Sequence, residues 1–159
     1  MTMITFIQEN TRFTNRVVGV AIDQGRVLLH QFEGDDFWAL PGGRAELLEP
    51  AIATLRREMA EELNIDVEVE RLLWTVENFF EYRGMEHHEL GLYFLMRVPA
   101  DWSQRSAAGS FLGDEHGKPL VFQWFPLETL STLRLYPSFL INGLRHLPPA
   151  PQHMVHTDL

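Results

Sequence analysis

The segment from Leu40 to Ile65, LPGGRAELLEPAIATLRREMAEELNI, constrains the fold more than any other part of the sequence. Pro50 suits the first position of a helix, because its missing N–H would be unpaired there in any case. Asn64 can end that helix, because asparagine tolerates the left-handed backbone conformation. Apolar residues between them recur at helical spacing and predict one buried stripe, formed by Ile52, Leu55, Met59 and Leu63. We therefore expect an amphipathic helix that follows a Pro-Gly-Gly turn.

Three glutamates crowd one flank of this helix. At about 100° per residue, Glu58 and Glu62 lie roughly 40° apart, and Glu61 lies roughly 60° from Glu58. Each like-charged pair at such spacing costs about 0.2–0.5 kcal/mol, and the helix dipole disfavours negative charge near this end. Hard divalent cations such as Mg²⁺ bind oxygen ligands of this kind and offset the repulsion. The helix sequence by itself leaves two interpretations of the glutamates. They form a metal site, or they form a solvated charged face in which Arg56 and Arg57 are their partners.

Strand-like segments surround the helix and predict the fold class. Residues 16–22 and 26–32 flank the turn Asp23-Gln24-Gly25, and residues 66–82 and 87–98 form a long hairpin. We expect a short strand in residues 35–43 that ends at Pro41, a last strand in 120–127, and helices in 128–133 and 137–147. Strands mixed with two or three helices predict an α/β (α+β) sandwich.

The remaining segments bear on domain organisation. At 159 residues the chain is most economically one domain, 1–159. Residues 99–119 are rich in Gly, Ser and Pro and predict a long loop, and residues 148–159 predict a flexible tail.

Composition excludes several classes of function. The chain has 22 acidic and 13 basic residues and a net charge of −9, so we expect no binding to nucleic acid. The sequence has no cysteine, which excludes disulfides, thiolate zinc sites and cysteine nucleophiles. We find no signal peptide and no apolar stretch long enough for a membrane, and we therefore expect a cytoplasmic protein with no membrane partner.

The glutamate segment resembles the Nudix box, G-x5-E-x7-R-E-U-x-E-E-x-G-U, in which U is a bulky aliphatic residue. Gly43 is followed after five residues by Glu49, and after seven more by Arg57-Glu58. Met59, Glu61-Glu62 and Ile65 take the next fixed positions of the 23-residue box. Asn64 replaces the usual glycine, a mild departure because asparagine can adopt the same helix-ending conformation.

The resemblance implies a Nudix-type α/β/α sandwich with a mixed β-sheet and a Mg²⁺-dependent pyrophosphohydrolase, with Mn²⁺ as a substitute ion. The substrate would be a nucleoside diphosphate derivative. Glu58 and Glu62 would be the principal metal ligands, Glu61 a further ligand or a base, and the Gly42 carbonyl another ligand. Arg57 would orient the glutamates and pair with Glu49. Family analogy also implies a homodimer as one option.

The general base stays open. Many relatives carry a further glutamate shortly before a tryptophan that resembles Trp124, whereas this chain has KPLVFQW there, without a carboxylate. The alternatives are Glu61, Glu89 and the loop acids Asp114 and Glu115. Our substrate-binding candidates are Trp38, Arg44, Tyr82 and Glu115, and we expect Glu46 to be ordinary surface.

Two classes of rival function remain, one enzymatic and one without catalysis. A Nudix-fold isomerase would be expected to use a cysteine, and a decapping-type enzyme to attract RNA, so both fit this chain poorly. A nucleotide-sensing module without turnover would be expected to lose glutamates from the box, whereas all of them remain here. The sequence does not identify the substrate.

Overall fold

A mixed β-sheet forms the frame of the molecule, and the computed structural model describes residues 2–115 and 117–159. In chain order the strands are β1 (Thr5–Gln8), β2 (Thr11–Asp23), β3 (Arg26–Phe32), β4 (Gly42–Arg44), β5 (Glu68–Tyr82), β6 (Met85–Arg97), β7 (Phe111–Glu115), β8 (Lys118–Pro126) and β9 (Gln152–Thr157). The helices are α1 (Ala51–Leu63), a 3-10 helix (Leu127–Thr132) and α2 (Leu140–Gly143). The strands lie side by side in the order β7-β8-β3-β2-β6-β5-β9, and β1 and β4 also pair with β2.

Strand β2 changes partners along its length. One of its edges pairs in parallel with β6 over residues 11–21. The other edge pairs with β1, then with β4, and with β3 only beside the tight turn. Residues 33–41 enter between β2 and β3, where Gly19 N donates to the Pro41 carbonyl at 2.9 Å and His30 N donates to the Ala39 carbonyl at 2.8 Å. The sheet is therefore split where the Pro-Gly-Gly turn begins.

Alternating side chains of the central strands build one hydrophobic core on each face of the sheet. The core under α1 includes Val17, Ala21, Leu28, Leu55, Met59 and Phe122. The opposite core includes Val18, Val20, Leu29, Tyr93, Leu130, Leu140 and Leu144, so the 3-10 helix and α2 cover that face. The predicted sandwich of a mixed sheet between helical layers is confirmed.

Helix α1 has the predicted limits within one residue. Pro50 is the N-cap residue instead of the first helical one, and Asn64 ends the helix in the left-handed region, with φ 55° and ψ 42°. Leu55 and Met59 are buried as predicted, but Ile52 is 48% exposed and lies outside the apolar stripe. The buried face of the helix is therefore rotated towards the glutamate flank, and it includes Thr54, Glu58 and Glu62.

Three predicted connections differ from the structure. Residues 35–41 form only isolated bridges at Trp38 and Ala39, because they wedge between strands, and the strand begins at Gly42. The predicted loop 99–119 contains β7, which pairs with β8. The tail predicted to be flexible contains β9, which pairs in parallel with β5.

The C-terminal strand is held by side chains as well as by its backbone. The Asp158 carboxylate accepts hydrogen bonds from Ser138 Oγ at 2.6 Å and from Ser138 N at 3.3 Å, beside α2. His156 Nε2 lies 3.1 Å from Asp158 Oδ2, and Met154 packs against the second core. None of the helices in the described part of the chain has the length and apolar character needed to cross a bilayer.

Candidate active site

Glu58 is buried against the turn that precedes α1. Its side chain is 3% exposed and fills the place that a side chain on Gly43 would need, since a Cβ there would lie 2.1 Å from Glu58 Cδ. Gly43 pairs with Val17 of β2 and so faces the same side of the sheet as α1. The glycine of the turn therefore lets the helix bring a carboxylate onto the sheet.

Arg57 links the helix to the loop before it. Its guanidinium donates two hydrogen bonds to the Glu49 carboxylate, from Nε at 2.7 Å and from Nη2 at 3.0 Å. It also donates to Glu58 Oε1 at 2.7 Å and to the Arg44 carbonyl at 3.1 Å. These bonds lower the pKa of Glu49 to about 2 and raise the pKa of Arg57. The predicted pairing of Arg57 with Glu49 is present, and one guanidinium holds three groups in place: the Glu49 carboxylate, the Glu58 carboxylate and the Arg44 carbonyl.

Glu49 has further hydrogen-bond donors that fix its position. Thr54 Oγ1 donates to Glu49 Oε1 at 2.6 Å, and the backbone N–H of Glu46 donates to the same oxygen at 3.2 Å. The expectation that Glu46 is ordinary surface is wrong. Its side chain is only 12% exposed, and its Oε1 lies 3.9 Å from Arg57 Nε. Glu46 therefore belongs to the same charged network.

Glu62 is the least satisfied polar group of the helix. The residue is 4% exposed, and neither carboxylate oxygen has a hydrogen-bond partner among the described residues. Desolvation, followed by repulsion from Glu58 and Glu115, raises its pKa to about 9. Desolvation also raises the pKa of Glu58. A buried carboxylate without a partner costs free energy, so this arrangement calls for a positive ligand.

Strand β7 brings two more carboxylates to the same place. A cavity of about 330 Å³ is lined by Glu58, Glu61, Glu62, Asp114 and Glu115. Close packing of β7 on α1 produces this arrangement, since a Cβ on Gly113 would lie 2.9 Å from the Glu62 carbonyl oxygen. Asp114 also accepts a hydrogen bond from Gly117 N at 3.0 Å and so supports the turn that follows β7.

The loop before β7 is fixed to the sheet. Arg105 Nε donates to Asp23 Oδ2 at 2.8 Å, and Arg26 Nη1 donates to the Ala107 carbonyl at 2.8 Å. Trp124 Nε1 donates to the Gln104 carbonyl at 2.9 Å. These contacts keep the start of β7 in a defined position, and with it the acids at the end of the strand.

The cavity has the donor chemistry of a divalent-cation site. It is lined by carboxylate residues, whose oxygens Mg²⁺ and Mn²⁺ prefer, and Glu62, with its two unpartnered oxygens, is one of them. In residues 2–115 and 117–159, no three side chains of His, Asp or Glu already converge closely enough to hold an ion. Arg57 draws Glu58 and Glu61 towards itself, at 2.7 and 3.4 Å, which explains why the acids line the cavity without meeting at one point.

A larger hollow of about 460 Å³ lies on the outer side of α1 and differs in character. It is an open surface lined by Arg56, Arg57, Ala60, Asn64, Ile65 and Asp66. The charged pair Arg56–Asp66 in it is exposed and already satisfied, with a 2.8 Å contact. Unlike the carboxylate cavity, it contains no buried polar group in need of a ligand.

Comparison with known proteins agrees with this geometry. The family model described as NUDIX domain matches residues 13–143, which is most of the chain. The chain belongs to the Nudix family of hydrolases. No curated protein sequence matches it at a significant level.

Solved structures show the same fold. An ADP-ribose pyrophosphatase from Streptococcus suis has a TM-score of 0.60 and 16% identity, over 89% of this chain and 98% of that one. A MutT protein from Bacillus halodurans has a TM-score of 0.60 and 17% identity, over 91% of both chains. A UDP-X diphosphatase has a TM-score of 0.59 and 18% identity, over 89% of this chain and 66% of that one. The Nudix fold therefore extends over nearly the whole chain.

Beside the Nudix box, three arginines lie on the sheet face opposite α1. Arg16 and Arg44 are direct partners in β2 and β4, and Arg12 lies on the same face of β2. Burial, followed by repulsion from Arg12 and Arg16, lowers the pKa of Arg44. Arg16 Nη2 donates to the Leu40 carbonyl at 3.3 Å, just before the Pro-Gly-Gly turn, and its positive charge lowers the pKa of Glu62. Arg44 is thus a substrate-binding candidate in a positively charged setting.

The other substrate-binding candidates are distributed differently. Glu115 lines the carboxylate cavity. Trp38 packs against Phe125, with ring centroids 4.8 Å apart, and so faces the second core instead of the cavity. Tyr82 donates its hydroxyl to Asp35 Oδ2 at 2.8 Å and contacts the ring of Phe37. Burial and Asp35 raise the pKa of Tyr82 to about 12.

Three polar residues of this sheet face were not predicted from the sequence to lie near the site: Arg12, Arg16 and Asn78. Arg16 precedes an apolar strand and looks like an ordinary strand end, and Asn78 stands within an aromatic run. The parallel pairing of β2 with β6 and the antiparallel pairing of β6 with β5 bring them together, and no local pattern reports those pairings. The one available signal was alternation, which puts Arg12 and Arg16 on the same face of a strand.

Proposed function

We propose that the chain is a Mg²⁺-dependent pyrophosphohydrolase that cleaves a phosphoanhydride bond in a nucleoside diphosphate derivative. The observation that carries this proposal is the cavity lined by five carboxylates, in which both oxygens of buried Glu62 lack a partner among the described residues. A protein with a net charge of −9 needs cations to hold a polyphosphate. Such a cavity beside a group of arginines is suited to an anionic substrate with bound metal.

Glu58 and Glu62 would hold the ion, with Glu61 and the Gly42 carbonyl as further ligands. Mn²⁺ would substitute for Mg²⁺, because both ions accept carboxylate and carbonyl oxygens. When bound, the ion supplies charge neutralisation at the phosphates and a lower pKa for coordinated water. Glu61 is 44% exposed at its side chain, so it can turn from Arg57 towards the cavity without unfolding the helix.

The remaining residues position these groups. Arg57 and Glu49 hold the helix against the turn, so that Glu58 stays over Gly43. Arg16 and Arg44 supply positive charge next to the cavity, where an anionic phosphate would lie. Hydrolysis then joins a water oxygen to one phosphorus, and the bridging P–O bond breaks with its electron pair on the departing phosphate.

We assign the proton acceptor for this water to Glu115. Glu115 lines the cavity and is more accessible than Glu62. Glu89, another candidate from the sequence, is not among the residues that line the cavity, and Asp114 is engaged with Gly117. Glu61 is the further ligand of the ion in this proposal, so it is not assigned the proton. Glu115 would then take over the task of the glutamate that the segment before Trp124 lacks.

The test is phosphate or nucleotide release from a panel of nucleoside triphosphates, nucleotide sugars and dinucleoside polyphosphates, with Mg²⁺ and with a chelator. We expect turnover of at least one class with Mg²⁺ only, and a loss of at least a hundredfold in Glu62→Gln. Equal activity of wild type and variant would refute the metal-site assignment. Tight nucleotide binding without any turnover would instead support the sensing module.

A further inference from the structure

Asn78 and Glu89 form a polar pair in the sheet that the proposed hydrolysis does not use. They are direct cross-strand partners in β5 and β6, so their side chains lie on the same face. Thr14 of β2 is the next partner of Glu89, and Arg16 follows on the same face of that strand. The pair therefore lies on the face that carries the arginines.

Asn78 lacks a partner that its burial would normally require. The residue is 3% exposed, and its Oδ1 accepts no hydrogen bond in the described part of the chain. Its amide lies beside the Glu89 carboxylate and lowers the pKa of that group, although burial raises it overall. A buried polar atom without a partner destabilises the folded state unless a ligand satisfies it. Together the two side chains present hydrogen-bond acceptors that a ligand with N–H groups would satisfy.

The arginines connect this pair to the carboxylate cavity. Arg16 Nη2 donates to the Leu40 carbonyl at 3.3 Å, just before the Pro-Gly-Gly turn, and its positive charge lowers the pKa of both Glu62 and Glu89. The charges of Glu115 and Glu89 both act to raise the pKa of Arg44, although burial lowers it overall. A substrate with its phosphates at the cavity and the arginines would extend its organic part towards Asn78 and Glu89.

Aromatic rings surround the polar pair on the same face. Phe80 and His87 are cross-strand partners and stack with centroids 4.8 Å apart and an interplanar angle of 8°. Tyr82 contacts His87 at 6.1 Å and Phe37 at 5.9 Å. Aromatic side chains stack on the faces of nucleobases, and each stacked base contributes to single-strand binding. The surroundings therefore favour a nucleobase over a sugar at this place.

We propose that Asn78 and Glu89 form a specificity subsite that recognises the amino-bearing edge of a nucleobase in the substrate. This proposal rests on the proposed function, because its kinetic test needs a substrate that is hydrolysed. It adds the class of substrate, a nucleotide whose base carries an amino group. The acceptors Asn78 Oδ1 and Glu89 carboxylate receive N–H donors of the base. A base with a carbonyl at the same position would place another acceptor against these two acceptors.

The test compares substrates in which a carbonyl replaces the amino group at one ring position: ATP with ITP, and CTP with UTP. We expect wild type to prefer an amino-bearing member by about tenfold to a hundredfold in kcat/KM. Glu89→Gln keeps the size of the side chain, and Asn78→Ala removes the amide. Each should lower kcat/KM for the amino-bearing member by about tenfold or more and leave its carbonyl counterpart nearly unchanged.

Glu77→Gln is the matched control. Glu77 precedes Asn78 on β5, faces the other side of the sheet and forms an exposed pair with His153 at 2.7 Å. We expect its preference to equal that of wild type. Thermal unfolding of every variant identifies those that fail to fold, and Glu89→Gln carries the test if Asn78→Ala does not fold.

A second readout separates this inference from the proposed hydrolysis. Calorimetry measures binding of AMP against IMP, and of CMP against UMP, to wild type and Glu89→Gln without metal. If no substrate is hydrolysed, the proposed function fails. The subsite is still supported if wild type binds the amino-bearing monophosphate more tightly than its counterpart and Glu89→Gln loses that preference. Equal binding and equal turnover within every pair would overturn it. A preference that follows only the ribose hydroxyl, seen with GTP against dGTP, would also overturn it.

Discussion

The Glu58 carboxylate occupies the space that a side chain at Gly43 would need. A Cβ on Gly43 would lie 2.1 Å from the Glu58 carboxylate carbon and 2.3 Å from its Oε2. A real Cβ does not approach another heavy atom so closely, so the absence of a side chain at position 43 determines where Glu58 lies. The second glycine of the turn is thus a requirement of the site as much as of the backbone.

Gly43→Ala should displace Glu58 from the cavity. We expect kcat to fall by at least tenfold and half-saturation to need several times more Mg²⁺, since a small misplacement of a ligand is costly. Steady-state kinetics at graded Mg²⁺ measures both. Gly109→Ala is the control, because nothing lies within 4 Å of a Cβ there. Equal kinetics of the two alanine variants would show that Glu58 is not positioned by Gly43.

Arg57→Ala should disconnect helix α1 from Glu49. The change removes a pair of short hydrogen bonds to a charged, largely buried carboxylate, so we expect a loss of about 1–3 kcal/mol in unfolding free energy. Activity should fall by at least tenfold, because Glu58 loses its 2.7 Å contact. Urea unfolding and kcat measure the two effects.

Arg56→Ala is the matched control for that experiment. Arg56 is the neighbouring arginine, but its pair with Asp66 is exposed at both side chains, and such pairs contribute about 0–1 kcal/mol. Comparable losses in both variants would contradict the role assigned to Arg57.

Glu62→Gln should stabilise the metal-free protein. The pKa of Glu62 rises from 4.5 to about 9 on folding, so the folded state holds a proton that the unfolded state releases. Wild-type stability therefore falls as pH rises from about 4.5 to about 9, whereas glutamine does not titrate. With a chelator at pH 8 we expect the variant to be more stable by about 1–3 kcal/mol. Denaturant unfolding at pH 5 and pH 8 should show the gap widen, and a constant gap would speak against a buried Glu62.

Glu49→Gln should have the opposite dependence on pH. The pKa of Glu49 falls from 4.5 to about 2 on folding, so its contribution is present above pH 4.5 and is lost as pH falls towards 2. The variant should be less stable than wild type at neutral pH, and the difference should shrink in acid.

Glu115→Gln should lower kcat while it leaves KM for the nucleotide little changed. We expect a loss of about a hundredfold and the loss of the acidic limb of the pH–rate profile, as for removal of a general base. Asp114→Asn is the control, since that carboxylate supports the turn to Gly117. A pH–rate profile of Glu115→Gln with its acidic limb intact would assign the proton acceptor elsewhere.

Asp158→Asn should loosen strand β9. The carboxylate receives two hydrogen bonds from Ser138, and its loss should cost about 1–2 kcal/mol. Hydrogen exchange should then rise in residues 152–157, which the sequence alone had suggested to be flexible. Unchanged protection there would mean that the backbone pairing with β5 is sufficient.

The sequence predicted those parts of the structure that depend on local pattern. Helix α1, the tight turn at Gly25 and the long hairpin each have a periodicity or turn residue within a few positions. The pairing of Arg57 with Glu49 was implied by the resemblance to the Nudix box, and the structure contains it.

The missed parts depend on contacts between distant segments. Strand β9 is short and follows a proline-rich segment, so only its place beside β5 makes it a strand. Arg16, Asn78 and Glu89 are 11 to 73 residues apart and meet because β2, β6 and β5 are neighbours. Glu46 looked like surface because its approach to Arg57 depends on how the loop folds back on the helix.

The count of Mn²⁺ ions bound to the carboxylate cavity tests the central claim most directly. Electron paramagnetic resonance of free Mn²⁺ during a titration gives the number of ions and their affinity, and the same samples report Mn²⁺-supported hydrolysis. We predict at least one ion per wild-type chain, and for Glu62→Gln a loss of tenfold or more in affinity together with the loss of turnover. If Glu62→Gln bound Mn²⁺ as tightly as wild type and hydrolysed substrate as fast, the result would contradict the assignment of Glu62 as a metal ligand.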